Sequence, residues 1–285
     1  MEILIGKTAG FCYGVKRAVE CAEKEANSSK ELTYCLGEIV HNKQVVDELK
    51  QKGIKFIEAI DNSNGKTIIR AHGVPKEVYD KAKAQGIELV DCTCPNVLKI
   101  HKIAKQYAEN GYFIFLCGSK IHPENLGTIS YCGKNVYIIE KENDVFKALE
   151  ELEKTGIKKL LVISQTTYSL EKFYIIEEII KNELPRDIEL EVKNTICKAT
   201  ELRQKETEEI SKKVDMMIII GGANSSNTKK LYEIAGSNCD KSICIETVDE
   251  LPIQEVSKCE KIGIMAGAST PQKEIEKVVN KLKSL

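Results

Sequence analysis

Asp91-Cys92-Thr93-Cys94-Pro95 stands where a short apolar run, Ile87 to Val90, gives way to a helical pattern from Asn96 to Asn110. Two other stretches have the same form: Thr195-Ile196-Cys197-Lys198 after the run Ile188 to Val192, and Gly10-Phe11-Cys12-Tyr13-Gly14 after Ile3 to Ile5. Each sets a cysteine at the handover from strand to helix. The three read as one internally repeated device that brings three thiolates to one point.

Outward from these stretches, strand-like runs alternate with amphipathic helical segments: Thr33 to Leu36, Thr67 to Arg70, Phe113 to Cys117, Val136 to Ile139, Leu160 to Ser164, Met216 to Ile220, Ile243 to Ile245 and Ile262 to Met265. The alternation predicts an α/β fold with largely parallel sheets. Met216-Met217-Ile218-Ile219-Ile220 is apolar throughout, as a strand covered on both faces requires. Gly86-Ile87-Glu88-Leu89 and Asp187-Ile188-Glu189-Leu190 match in register, each leading to a cysteine and a Lys- and Glu-rich helix. The last helical segment, Pro271 to Leu282, is followed by no strand, whereas Glu2 to Ile5 lies just before Cys12. Residues 1–11 are therefore expected to complete the last sheet. This predicts three similar small α/β domains around a shared centre: 12–94, 95–196, and 197–285 with 1–11.

The 285 residues carry 42 Lys+Arg against 43 Asp+Glu, which argues against a polybasic nucleic-acid binder or an acidic tail. The N-terminus lacks the character of a signal peptide and no run is long enough for a membrane span, so a cytoplasmic protein is expected. Eleven cysteines are many for a compartment in which disulfides are rare. The odd, scattered set points to metal or redox use. Cys21, Cys35, Cys117, Cys132, Cys239, Cys244 and Cys259 lie in apolar patterns and are expected in the core.

Six polar strand ends flank the cysteines: Val40-His41-Asn42, Ala71-His72-Gly73, Ile121-His122-Pro123-Glu124, Ser164-Gln165-Thr166-Thr167, Asn224-Ser225-Ser226-Asn227-Thr228 and Gly267-Ala268-Ser269-Thr270-Pro271. In parallel α/β sheets, ligands bind at carboxyl strand ends. Three of the four histidines fall here, with hydroxyls, amides and helix starts suited to a phosphate or diphosphate. Ser, Thr and Asn before helices also serve as ordinary N-caps. His101 sits in the middle of a helix and is read as a partly exposed surface or packing residue. Glu124, the one carboxylate in these loops, is a candidate to hold and deliver a proton, with Thr166 as relay.

Three thiolates suit a 4Fe-4S cluster with one open iron, or zinc with an open position. With Pro95 starting a helix, only one of Cys92 and Cys94 is expected to ligate, and Cys94 matches the register of Cys12 and Cys197. No G-x-G-x-x-G or flavin signature is present, so a separate ferredoxin or flavodoxin is expected to bring electrons.

At these residues the chain resembles the LytB/IspH family of 4-hydroxy-3-methylbut-2-enyl diphosphate reductases. The resemblance rests on G-F-C-Y-G-V-K-R-A at Gly10 to Ala18, G-E-I-V-H-N at Gly37 to Asn42, R-A-H-G at Arg70 to Gly73 and T-C-P at Thr93 to Pro95. It continues through H-P-E at His122 to Glu124, S-Q-T-T at Ser164 to Thr167, T-I-C-K-A-T at Thr195 to Thr200, N-S-S-N-T at Asn224 to Thr228 and G-A-S-T-P at Gly267 to Pro271.

The resemblance implies a trefoil-like, pseudo-threefold arrangement around a central iron-sulfur site, with one 4Fe-4S cluster held by Cys12, Cys94 and Cys197 and one iron open. It implies a diphosphate cradle of His41, His72, His122, Ser225, Ser226, Asn227 and Ser269, with Thr166 and Glu124 at the substrate hydroxyl and His122 beside them as a catalytic residue. The implied reaction is reductive dehydroxylation of the allylic diphosphate to isopentenyl and dimethylallyl diphosphate, the last step of the non-mevalonate isoprenoid pathway. No nucleic acid, membrane or appended RNA-binding module enters this expectation. Asn125 departs from the more apolar residue expected after the glutamate, and Cys92 is an additional thiol. A phosphate-binding sensor with a structural metal and a zinc hydrolase are the two alternatives that the residues alone leave open.

Overall fold

A computed structural model describes residues 1–28 and 32–285. The elements begin with β1 (Glu2–Ile5), α1 (Tyr13–Ser28), β2 (Thr33–Leu36), α2 (Lys43–Gln51), β3 (Lys55–Ile57), β4 (Lys66–Ile69), α3 (Lys76–Gln85) and β5 (Leu89–Asp91). They continue with α4 (Pro95–Glu109), β6 (Phe113–Cys117), α5 (Pro123–Ile129), β7 (Val136–Ile139), α6 (Asp144–Thr155), β8 (Lys159–Ser164), α7 (Leu170–Glu183) and β9 (Glu189–Val192). The last are α8 (Lys198–Ser211), β10 (Met216–Ile220), α9 (Ser226–Asn238), β11 (Ser242–Ile245), α10 (Ile253–Val256), β12 (Lys261–Ala266) and α11 (Gln272–Lys283).

Among the described residues the strands form three four-stranded sheets of one topology, ordered β3-β2-β4-β5, β7-β6-β8-β9 and β11-β10-β12-β1, and every pairing is parallel. The N-terminal strand takes the edge beside β12, with Ile3 opposite Ile262. It fills the place that β5 and β9 fill in the other two sheets.

The same hydrogen bond turns the chain after the first strand of each repeat: Gly37, Gly118 and Gly221 donate their N–H to the carbonyls of Ile57, Ile139 and Ile245 at 2.8, 2.9 and 2.9 Å. The central strands β6 and β10 are buried along their whole length, as their unbroken apolar sequences require. Each fully buried Ile or Leu of this kind stabilises the fold by about 1.5–3 kcal/mol.

The chain divides into two compact units, Met1–Glu20 with Val40–Lys52 and Lys198–Leu285, and Cys21–Ile39 with Gly53–Cys197. The first holds the β11-β10-β12-β1 sheet, and the second holds the other two. In the first unit, α2 is tied down by the Gln44 amide, which donates to the Glu246 carbonyl at 3.1 Å, and by a Lys273–Glu48 ion pair. Among the described residues no helix is long and apolar enough to cross a membrane.

Two sequence expectations need correction. Of the seven cysteines assigned to the core, Cys244 is exposed and Cys21 half-buried. Cys244 lies on the edge strand β11, where side chains alternate between faces, so Ile243 packs inward and Cys244 points out. The strand β3 was not anticipated, because Lys55-Phe56-Ile57 is too short to show a period.

Candidate active site

Cys12, Cys94 and Cys197 occupy equivalent places. Each directly precedes a helix, α1, α4 and α8 respectively. Each donates its N–H to a carbonyl two residues past the end of the neighbouring strand: Cys12 to Ala268 at 3.1 Å, Cys94 to Ala71 at 2.9 Å and Cys197 to Thr166 at 3.0 Å. All three are half-buried. Cys92 instead extends the sheet, its N–H donating to Ile69 at 3.0 Å, and its side chain is fully buried. Burial pushes the Cys35 and Cys132 thiols up to about 12 and raises Cys117 further, which keeps these three protonated.

In the second unit a buried carboxyl site is assembled from two loops. His122 caps α5 by accepting the Glu124 N–H on Nδ1 at 3.2 Å, which leaves Nε2 as the ring's N–H donor. Pro123 follows at the first helical position, where its missing N–H leaves no helical bond unmade. Glu124 is thereby carried into the interior, only 2% exposed.

Its carboxyl receives two bonds from one residue. The Thr166 N–H donates to Oε1 at 2.6 Å and the Thr166 hydroxyl to Oε2 at 2.6 Å. Burial pushes the Glu124 pKa up to about 7, the Thr166 bonds pulling the other way without matching it. A carboxyl tuned to that range holds a proton near neutrality and can still release it. His72 stands edge-on to His122, ring centroids 5.4 Å apart, in the loop whose Ala71 carbonyl takes the Cys94 N–H.

A buried amide pair supports this loop. Asn125 Nδ2 donates to Gln165 Oε1 at 2.9 Å and to the Ser119 carbonyl at 2.8 Å, and Gln165 Nε2 donates to the Thr167 hydroxyl at 2.8 Å. Asn125 and Gln165 flank Glu124 and Thr166 in sequence, so they set the approach of the two. Gln165 lies inside the S-Q-T-T motif, but a polar residue at position 125 identifies itself only once its full burial is seen. Gly118 leaves room for the pair: a Cβ there would lie 2.4 Å from Asn125 Nδ2 and 2.9 Å from Gln165 Oε1. His101 belongs elsewhere. It is buried against Tyr131, ring centroids 4.7 Å apart, and burial lowers its pKa to about 4, so it is a neutral packing residue with no surface role.

In the first unit Ser225 caps α9, its hydroxyl accepting the Thr228 N–H at 3.2 Å, and Ser226 and Asn227 form the first turn. Asn227 is 3% exposed, yet neither its amide oxygen nor its amide nitrogen has a hydrogen-bond partner among the described residues. A buried amide left in that state calls for a ligand or solvent. The Ser269 hydroxyl donates to the His41 carbonyl at 3.1 Å, joining the β12 loop to the segment that leads into α2. Thus the structure places His72, His122, Glu124, Thr166, Cys94 and Cys197 in the second unit, and Cys12, His41, Ser225, Ser226, Asn227 and Ser269 in the first.

The model of the LytB protein family matches residues 3–283. The 4-hydroxy-3-methylbut-2-enyl diphosphate reductase of Caldanaerobacter subterraneus subsp. tengcongensis is 42% identical, the alignment covering 100% of this chain and 98% of the relative. That of Clostridioides difficile is 39% identical with 100% of both covered. Among solved structures, the E-1-hydroxy-2-methyl-but-2-enyl-4-diphosphate reductase from Plasmodium falciparum superposes with a TM-score of 0.90 at 34% identity, over 98% of this chain and 87% of that one. A second, an (E)-4-hydroxy-3-methyl-but-2-enyl diphosphate reductase, gives 0.71 at 37% identity with 100% of both covered. With its topology, its nine motifs and these full-length matches in agreement, the chain belongs to the LytB family.

Proposed function

We propose that this chain catalyses reductive dehydroxylation of (E)-4-hydroxy-3-methylbut-2-enyl diphosphate to isopentenyl and dimethylallyl diphosphate, the last step of the non-mevalonate isoprenoid pathway. The observation that carries the reading is the buried Glu124 carboxyl, raised to about 7 and bonded twice by Thr166, whose own carbonyl takes the Cys197 N–H.

Cys12, Cys94 and Cys197 are the proposed holders of one 4Fe-4S cluster with a single open iron. The donor set fits such a group. Three half-buried thiols share one register at helix starts, where backbone N–H groups favour anionic ligands, while Cys117, Cys132, Cys239 and Cys259 pack within apolar core clusters. Bound there, a cluster supplies a Lewis-acidic iron and a path for electrons.

Overall the reaction takes up two electrons and two protons. The allylic C–O bond breaks, the hydroxyl leaves as water and a C–H bond forms. The chain's part is to hold the substrate and supply protons. His41, His72, His122, Ser225, Ser226, Asn227 and Ser269 bind the diphosphate through positioned donors, with Asn227 offering an amide that has no partner among the described residues. Glu124 gives the proton that turns a poor hydroxide leaving group into water. When Glu124 is protonated, the Thr166 hydroxyl becomes the acceptor on that bond and passes its own hydrogen onward. Electrons arrive from a separate ferredoxin or flavodoxin, in the cytoplasm, a reducing compartment that preserves the chain's free cysteines.

The test joins spectrum to turnover. Anaerobically purified protein is expected to be brown, to contain iron and acid-labile sulfide in equal amounts, and to convert the hydroxylated diphosphate to both products with reduced viologen as donor. A colourless chain carrying stoichiometric zinc, without turnover, would overturn the proposal.

A further inference from the structure

The loop between β1 and α1 leads directly to Cys12, and two side chains of α8 hold its backbone. Arg203 is 3% exposed; its Nε donates to the Thr8 carbonyl at 2.9 Å, its Nη2 to the Gly10 carbonyl at 2.9 Å and its Nη1 to Ala199 of its own helix at 3.3 Å. Glu206, on the same helix face three residues on, accepts the Lys7 N–H at 2.7 Å, the Thr8 N–H at 2.8 Å and the Thr8 hydroxyl at 2.5 Å. Burial opposes its charge, but the bonds from Thr8 and Lys7 outweigh this and hold the carboxyl below its ordinary range.

Between them the two side chains take the N–H groups of Lys7 and Thr8 and the carbonyls of Thr8 and Gly10. Gly10 adopts φ +95, a conformation open to glycine, and in it the carbonyl meets the guanidinium. Two residues later the Cys12 N–H is fixed on Ala268. A buried guanidinium spent on backbone carbonyls is a demanding way to fasten a loop, since packed apolar side chains would do so with less desolvation. What the planar fork adds is orientation.

We propose that Arg203 and Glu206 are positioning residues for Cys12: from α8, the helix that follows Cys197, they hold the Lys7–Gly10 backbone in the geometry that presents the Cys12 thiolate to the cluster. This rests on the ligand assignment made under the proposed function. Neither residue touches substrate or iron in this scheme; both act through the loop, as groups outside a metal's ligand set commonly do.

Arg203→Lys, Glu206→Gln and the milder Thr8→Val, prepared anaerobically beside wild type and Cys12→Ser, test it. The readouts are iron per chain, the electron paramagnetic resonance signal of the reduced cluster, the rate of absorbance loss in air, and the melting midpoint of the cluster-free chain. Cluster loss is expected to be roughly 10-fold faster in Arg203→Lys and Glu206→Gln, with a smaller effect in Thr8→Val and an altered resonance signal in all three. Leu282→Ala, a core substitution in the same unit, controls for general destabilisation. Loss rates and signals equal to wild type overturn the proposal. So does equally fast loss from Leu282→Ala at a matched melting midpoint, which would make the clamp an ordinary fold staple. If wild type takes up no cluster, or Cys12→Ser keeps it unchanged, the ligand assignment itself falls and the clamp with it.

Discussion

Thr166 grips Glu124 from two sides, its N–H on one carboxyl oxygen and its hydroxyl on the other, both at 2.6 Å. The two come from different loops, 42 residues apart, and neither oxygen is left to water. A carboxyl so enclosed changes its charge near neutral pH, where an exposed one is fully ionised.

Glu124→Gln keeps the shape of this contact and removes the proton. Turnover is expected to fall about 10²–10⁴-fold, with the KM for the diphosphate changed little, measured by steady-state assay with reduced viologen. Wild-type kcat is expected to decline as pH rises through about 7, and this limb is expected to vanish from the residual activity of the variant.

The same shift predicts a stability difference. The folded pKa lies above the ordinary 4.5, so the folded chain binds more protons than the unfolded one between 4.5 and about 7. The Glu124 contribution is therefore fully present below pH 4.5 and is lost as pH rises through about 7. Glu124→Gln does not titrate, and it is expected to gain on wild type across that window by up to about 3 kcal/mol. Urea unfolding of the cluster-free proteins at pH 5 and pH 8 measures it.

Cys94→Ser is expected to abolish iron retention and turnover together. Cys92→Ser is expected to keep both, while losing about 1–3 kcal/mol of stability because a hydroxyl replaces a fully buried thiol. Iron content and thermal melting of the two variants decide whether register or mere proximity selects the ligand.

Asn227→Ala removes an amide that forms no hydrogen bond within the described fold. The melting midpoint of the cluster-free chain is expected to stay level or rise slightly, because a desolvated polar group is deleted. KM for the diphosphate is expected to rise roughly 10-fold, the effect of losing about one hydrogen bond to a charged group.

Gly118→Ala places a Cβ where Asn125 Nδ2 and Gln165 Oε1 now meet. Overpacking of that kind costs about 1–3 kcal/mol. Because the displaced amides flank Glu124 and Thr166, turnover is expected to fall by more than the loss of stability explains, as melting and steady-state rates measured on one preparation will show.

Much of this was legible in the chain. The apolar runs of β6 and β10 announced strands covered on both faces, and the register of Cys94 against Cys12 and Cys197 survives as three equivalent N–H bonds to strand-end carbonyls. The edge strand β1 was legible as the partner that the last helix lacks. By contrast, β3 is too short to carry a period, and the exposure of Cys244 follows from its place on a sheet edge that local pattern does not reveal. Position 125 looked like a departure from an apolar site until its amide was seen to bond Gln165 in the interior.

By itself the sequence determined the alternation of strand and helix, the register of the three cysteines and the motifs that carry the family, because each is a property of neighbouring residues. Only the tertiary structure decided that burial raises the Glu124 pKa to about 7, that Asn227 is buried with its amide unpaired among the described residues and that Arg203 grips the loop before Cys12. Those depend on which groups lose water and which distant partners replace it, as when Thr166 meets Glu124 or α8 reaches Thr8.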